Sequence, residues 1–317
     1  LSSARNAGLD AARGAYLYFM DSDDHIDLDA MEKLHAEAVR GGLDVMYFDG
    51  DAFYENEALE GSHSRYATYY QRKTEYGEIT SGARLFTAMR KNGDYKPSAC
   101  LQLIKREYLK RLSLRFIEGL LYEDNPFSLQ CILQAERVRH VGQAYFHRRV
   151  RPDSIMTQAV EFRNFSARYT CVVAMLEFIS DKKYEEAVQA EAVREVLALF
   201  QNMASIYLAL PEAGKSEADS LVGSDDFFRR VAPALPGRLA WALALAVQGY
   251  QMRIQRLKAQ RTADGQRFRA RQTREIRKLN ARRTEEIGRL KAQYEHSLSW
   301  RVTAPLRALA RWSGLHT

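Results

Sequence analysis

The stretch YLYFMDSDD (residues 16–24) constrains the fold of this chain more than any other. Five apolar or aromatic residues run straight into Asp21, Ser22, Asp23 and Asp24. The run suits a buried strand, and a strand that ends on crowded carboxylates must end where water or a cation offsets their repulsion. The spacing before it predicts a helix over about residues 3–13, capped by Ser2 or Ser3. After it, Asp29 followed by Glu32 fits a capping box opening a helix near 29–40, and Val45–Asp49 reads as the next strand. Strands separated by helices predict parallel pairing in an α/β sheet.

Further along, the pattern predicts strands at Arg65–Tyr70 and Ala99–Ile104 and a helix near 81–91. A second helix spans 123–136, with Pro126 tolerated in its first turn, and strands follow over 137–150. From 159 to about 248 the apolar spacing is helical, interrupted at LPEAGKS and VAPALPGR. At 46% hydrophobic residues the chain can build a core. Cys100, Cys131 and Cys171 lack CxxC or Cys/His spacing, which predicts buried thiols and neither a disulfide frame nor a zinc site. No run approaches the 18 or so apolar residues of a membrane span.

Charge divides the chain. Residues 251–317 hold 17 Lys/Arg against 5 Asp/Glu, whereas residues 1–250 hold 30 against 35, so the net +7 belongs to the tail. The tail also repeats by eleven: QRLKAQRTADG, QRFRARQTREI, RKLNARRTEEI, GRLKAQYEHSL (255–298). Leu257, Phe268, Leu279 and Leu290 share one column, and Ile254, Ile276 and Ile287 another, broken by Gly265. An eleven-residue period is about 3.67 residues per turn, which predicts a long, nearly straight helix with a narrow apolar stripe.

Three readings compete for the acidic cluster. One is a solvated loop whose Asp caps the next helix. A second is a calcium loop, opposed by Ile26 where the turn needs Gly and by a strand where a helix should precede. The third is a metal–diphosphate site at the end of a strand, where open α/β sheets bind ligands. Chemistry favours the third, because Mg²⁺ and Mn²⁺ take oxygen ligands and commonly bind one or two carboxylates plus substrate phosphates.

LSSARNAGLDAARGAYLYFMDSDD is similar to the donor-site segment of the family 2 (GT-A fold) inverting glycosyltransferases of bacterial polysaccharide synthesis. YEDNPFSLQ resembles the family's Glu-Asp motif, and FHRRVRPDSIMTQ resembles its strand and loop that closes over the donor. The resemblance implies a GT-A-like, mostly parallel α/β sheet over 1–157, incomplete at its N-terminus because a uracil-binding half is missing. A helical domain (158–248), the long basic helix (249–298) and an amphipathic terminal segment (299–317) complete the expected order.

By position the resemblance implies that Asp23 ligates Mn²⁺ or Mg²⁺ and that Asp21 contacts the ion, its water or the nucleotide. It implies Asp124 as the base that deprotonates an acceptor hydroxyl, with Glu123 beside it as support or alternative. Without the resemblance, Glu123 and Asp124 read equally as acids favoured at a helix N-terminus. Arg5 and Asn6 would line or brace the donor pocket, and Arg148, Arg149, Arg151 and Ser154 would face the diphosphate, since guanidinium forks suit phosphate oxygens. His147 stands where the family pattern has Tyr. The implied partners are a nucleotide-sugar donor and a saccharide or lipid-linked acceptor.

For the tail, self-association, an anionic membrane surface and nucleic acid are the candidates. Trp300, Val302, Leu306, Leu309 and Trp312 near one face, ringed by Arg301, Arg307 and Arg311, favour membrane. No base-reading module is visible, so nucleic acid is not expected. The expected compartment is the cytoplasm, with peripheral attachment to the inner face of the bacterial cytoplasmic membrane. A rival from another class is an inactive truncated module acting through its helical tail.

Overall fold

The computed structural model describes residues 1–151 and 160–224 and, in the C-terminal stretch, 259, 262–263, 265–278, 280–286 and 288–289. Helix α1 (Ser2–Ala11) leads to strand β1 (Tyr16–Tyr18); a two-residue strand β2 (His25–Ile26), helix α2 (Ala30–Gly41) and the long β3 (Val45–Tyr54) follow. An excursion carries α3 (Glu57–His63) and α4 (Gly82–Asn92), then come β4 (Gln102–Lys105), α5 (Arg106–Leu112), α6 (Asp124–Gln134) and β5 (Val138–Val150). Among the described residues up to 224, three helices follow the sheet: α7 (Phe162–Asp181), α8 (Glu186–Ala209) and α9 (Glu212–Ser224).

The five strands form one sheet in the order β1-β4-β3-β5-β2. The α/β architecture is as expected, but the pairing is mixed. Only β3 and β5 run parallel; β1–β4, β3–β4 and β2–β5 are antiparallel. β1 and β3 do point the same way, as helix-linked strands should, but β4 is inserted between them and runs back against both. Among the described residues β1 pairs on one side alone. Because β1 and β2 sit at opposite edges, the residues between them, including the acidic turn, cross the strand ends.

β3 alternates faces with the two-residue period of a strand. Val45 and Tyr47 enter the core beneath α4, α6, α7 and α8, while Met46 and Phe48 enter the core beneath α2. The register of β3 against β5 slips at Phe48–Gly50, and a Cβ on Gly50 would stand 2.6 Å from the Phe146 carbonyl oxygen, so the irregularity needs glycine. Gly82 serves a similar end where α4 meets α6: a Cβ there would lie 1.8 Å from the Ile132 oxygen. Phe127 and Ile132 of α6, Phe165 and Met175 of α7 and Val196 of α8 share one core cluster.

Several local expectations change. Neither Ser2 nor Ser3 caps α1, whose N-cap is Leu1 without a side-chain bond. Asp29 precedes α2 but makes no capping bond; it pairs with Lys33 at 2.6 Å instead. Arg65–Tyr70 is not a strand: a 3-10 turn over Ser64–Tyr66 leads into further turns, and Tyr66 and Tyr70 are buried. The segment Ala99–Leu101 forms a 3-10 turn before β4 begins. LPEAGKS breaks the helices only at Leu210–Pro211, since α9 begins at Glu212.

The second unit, from Gln255, is described in part. Its described residues are helical and exposed, including Phe268 (63%) and Ile276 (58%). The columns at Leu257, Leu279, Ile287 and Leu290 and the whole of 299–317 lie outside the described residues. Among those described, no helix is long and apolar enough to cross a membrane.

Candidate active site

Two adjacent side chains of α1 organise the site. Arg5, only 7% exposed, donates from Nη2 to Asp21 Oδ1 (2.9 Å) and from Nη1 to Glu123 Oε1 (2.9 Å) and Asp124 Oδ1 (2.6 Å). One guanidinium therefore joins the acidic turn to the Glu-Asp pair at the start of α6. Burial lowers its pKa, but the carboxylates Asp124, Asp21 and Glu123 outweigh that and the net shift is upward. Asn6 holds the neighbouring loop. Its Nδ2 donates to the Phe116 carbonyl (2.9 Å) and its Oδ1 accepts the Phe116 N–H (3.0 Å). Phe116 in turn stacks on Phe127 of α6 with centroids 3.9 Å apart.

The acidic turn closes on itself, with the Asp24 N–H donating to the Asp21 carbonyl at 3.2 Å. Ligand atoms of Asp21, Asp24 and Cys100 lie within 4.8 Å of one another. Burial pushes the Asp24 carboxyl up to about 6, the Arg149 N–H draws it back down, and Asp21 and Asp23 raise it. Carboxylates that repel one another at a cleft are a fitting donor set for a hard divalent cation. The Cys100 thiol is soft and burial pushes its pKa far up, so it suits such an ion poorly. Asp23, expected as a metal ligand, accepts from Arg151 Nε at 2.6 Å, and that hydrogen bond holds its pKa below the usual carboxylate range. Asp24, absent from the expected set, is the carboxylate that stands with Asp21.

An open cleft of about 710 Å³ runs along the turn, lined by Arg5, Asp21, Asp23 and Asp24 together with Arg148, Arg149 and Arg151. All three expected arginines thus face the cleft, and each has a protein partner. Arg148 donates to the Tyr70 hydroxyl and lies over the Tyr66 ring, 5.3 Å from its centroid. Arg149 pairs with Glu55 at 2.5 Å, and its backbone N–H donates to Asp24 Oδ1 at 2.9 Å. Ser154 lies outside the described residues.

Glu123 is the N-cap of α6 and is buried; Asp124 opens the helix and keeps 24% of its side chain exposed. Desolvation pushes Asp124 up to about 6 despite the pull of Arg5. Neither residue lines the cleft directly; both reach it through Arg5. His147 bridges two carboxylates, Nδ1 to Asp51 (2.6 Å) and Nε2 to Asp27 (2.9 Å). It thereby ties the end of β2 to β3 and β5. No local sequence pattern pairs Asp27 and Asp51 with His147, which lies about a hundred residues further along.

Residues 1–111 match the family described as Glycosyl transferase family 2. The uncharacterized glycosyltransferase EpsJ of Bacillus subtilis (strain 168) is 30% identical over 158 residues, 49% of this chain and 43% of that protein. Glycosyltransferase GlyA of Streptococcus pneumoniae serotype 4 is 26% identical over 215 residues, 67% of this chain and 29% of that protein. The chain thus spans less than half the length of either relative. Among solved structures, residues 1–349 of S. aureus TarS in complex with UDP-GlcNAc superpose with a TM-score of 0.53 at 18% identity, covering 80% of this chain and 69% of that one. At that identity the likeness speaks for the fold. Over residues 1–111 the chain is thus similar to glycosyl transferase family 2, and its mixed α/β fold is of the GT-A kind.

Proposed function

We propose that this chain carries the donor site and the base of an inverting glycosyltransferase. It would move a sugar from a nucleoside diphosphate, with UDP-sugars the first to test, to a hydroxyl of a saccharide or lipid-linked acceptor. The observation that carries this reading is the Arg5 fork, which keeps Asp21 of the cleft and Asp124 of α6 on one guanidinium. A donor-side acid and a base that share one guanidinium are near enough to serve one hexose.

In the transfer the bond from the anomeric carbon to the diphosphate oxygen breaks, a bond to the acceptor oxygen forms, and the acceptor proton passes to Asp124. A carboxylate pushed up to about 6 still ionises at neutral pH and takes a proton more readily than an ordinary one. Glu123 supports it by sharing Arg5. Arg148, Arg149 and Arg151 supply the cationic wall that a diphosphate requires. Asp21 and Asp24, with Asp23 beside them, would hold Mn²⁺ or Mg²⁺, which when bound offsets the charge of the departing diphosphate. The basic helix is read as a spacer or self-association element, and residues 299–317 as a contact for anionic lipid.

The test is a screen of the full-length natural protein with UDP-sugars and Mn²⁺ or Mg²⁺, beside Asp21→Asn and Asp124→Asn. Release of UDP by the wild type, lost in both variants, supports the reading. Wild-type turnover by Asp124→Asn overturns the base, and wild-type turnover by Asp21→Asn overturns the donor site.

A further inference from the structure

Immediately before the Glu-Asp pair, Tyr122 adopts φ of 63°, a left-handed conformation that a bulky L-residue avoids. Strain of this kind persists only where the surroundings over-determine it, and here they do so from three directions. The Tyr122 hydroxyl accepts from Asn164 Nδ2 at 3.0 Å. The Arg168 guanidinium lies 3.8 Å from the centre of its ring. Its carbonyl accepts the Asn125 backbone N–H (3.0 Å), the Asn125 amide (2.8 Å) and the Cys171 thiol (3.5 Å).

Asn164, Arg168 and Cys171 are spaced i, i+4, i+7 and so form one stripe of α7. Asn164 is itself fixed, because its Oδ1 accepts the Glu161 N–H at 2.9 Å in a capping box, which turns its NH₂ toward the tyrosine. Nothing in this stripe touches the cleft. What it holds is the backbone dihedral that aims the chain into α6, one residue before Glu123 and two before Asp124.

We propose that Tyr122 is a positioning residue for transfer: the α7 stripe holds its backbone left-handed, and that dihedral sets Glu123 and Asp124 against Arg5. The inference rests on Asp124 being the base. It also gives α7 a part in the chemistry, for the helix acts on the base through a single tyrosine.

The experiment compares kcat and donor KM of the full-length natural protein with those of Tyr122→Ala, Tyr122→Gly, Arg168→Ala and Asp124→Asn. Tyr122→Ala removes the clamp and keeps the penalty for positive φ, so kcat falls about ten- to hundredfold while donor KM stays within about twofold. Tyr122→Gly also removes the clamp but accepts positive φ freely, so it exceeds the alanine variant in kcat by roughly fivefold or more. A packing role predicts the reverse order, since glycine fills less space than alanine. Should Tyr122→Ala fail to fold, Arg168→Ala poses the same question: adding Tyr122→Gly to it raises kcat. Alanine equal to or better than glycine, no gain in the Arg168→Ala background, or a loss confined to KM overturns the proposal. With Asp124→Asn inactive, those results overturn the positioning role alone; an active Asp124→Asn overturns the base and the positioning role together.

Discussion

Arg5 Nη1 donates to Asp124 Oδ1 at 2.6 Å across 119 residues of chain. Because Nη2 of the same group holds Asp21, α1 works as a brace between the turn after β1 and the start of α6. Removing a cation that serves the buried Glu123 and the half-buried Asp124 and Asp21 leaves those acids unpaired. Arg5→Ala is therefore expected to destabilise the fold by about 3–5 kcal/mol. Arg5→Lys recovers part of this, because an ammonium cannot reproduce the fork. Chemical denaturation of the three proteins measures both; equal midpoints for the wild type and Arg5→Ala would show that the brace contributes nothing.

The raised pKa of Asp124 fixes the sign of a pH profile. A base works as the carboxylate, and protonation removes it as pH falls through about 6. The rate of transfer is expected to drop about tenfold per pH unit below that value and to level above it. Initial rates between pH 4.5 and 8 check this, and a profile flat down to pH 5 would speak against an Asp124 base.

His147 gives a linkage of opposite form. Burial lowers its pKa, but the hydrogen bonds to Asp51 and Asp27 outweigh that, and the net shift is upward from 6.5. The stabilisation is thus fully present below pH 6.5 and lost as pH rises through the folded value. Both carboxylates are partly exposed, so solvent screening holds the effect to about 1 kcal/mol or less. Thermal unfolding from pH 6 to 9 should show a decline in the wild type that His147→Gln lacks, and parallel curves would remove the bridge from the account.

Gly82 provides a stability test away from the site. A methyl group there meets the Ile132 carbonyl at 1.8 Å, where α4 lies against α6. Gly82→Ala is expected to cost about 1–3 kcal/mol, the usual range for overpacking. Its unfolding midpoint should fall, and an unchanged midpoint would contradict the close approach.

How much of this was legible in the sequence depended on range. The run into Asp21–Asp24, the helix at 123–136 and the long segment 137–150 are local patterns, and the elements formed near where those patterns place them. Pairing was not local: nothing in Gln102–Lys105 announces that it inserts between β1 and β3. RYATYY alternates like a strand, yet Tyr66 and Tyr70 turn inward beneath Arg148, and Tyr69 meets both edge to face. At the site, the motifs name Arg5, Asp21, Glu123 and Asp124 but not what joins them, which is the one guanidinium of Arg5. The preference for Asp24 over Asp23 beside Asp21 turns on Arg151, more than a hundred residues away. The backbone of Tyr122 depends on a helix that begins forty residues later, and no pattern around YED encodes it.

The central claim is that the acidic turn and the Glu-Asp pair serve one sugar in different roles. The most direct measurement pairs calorimetric binding of a UDP-sugar with turnover for Asp124→Asn in the full-length natural protein with its divalent ion. Asp124→Asn is expected to keep wild-type donor affinity with turnover lowered by about 10²-fold or more, the contribution of a positioned base. Turnover at the wild-type rate would contradict it, and so would a variant whose only defect is failure to bind the donor.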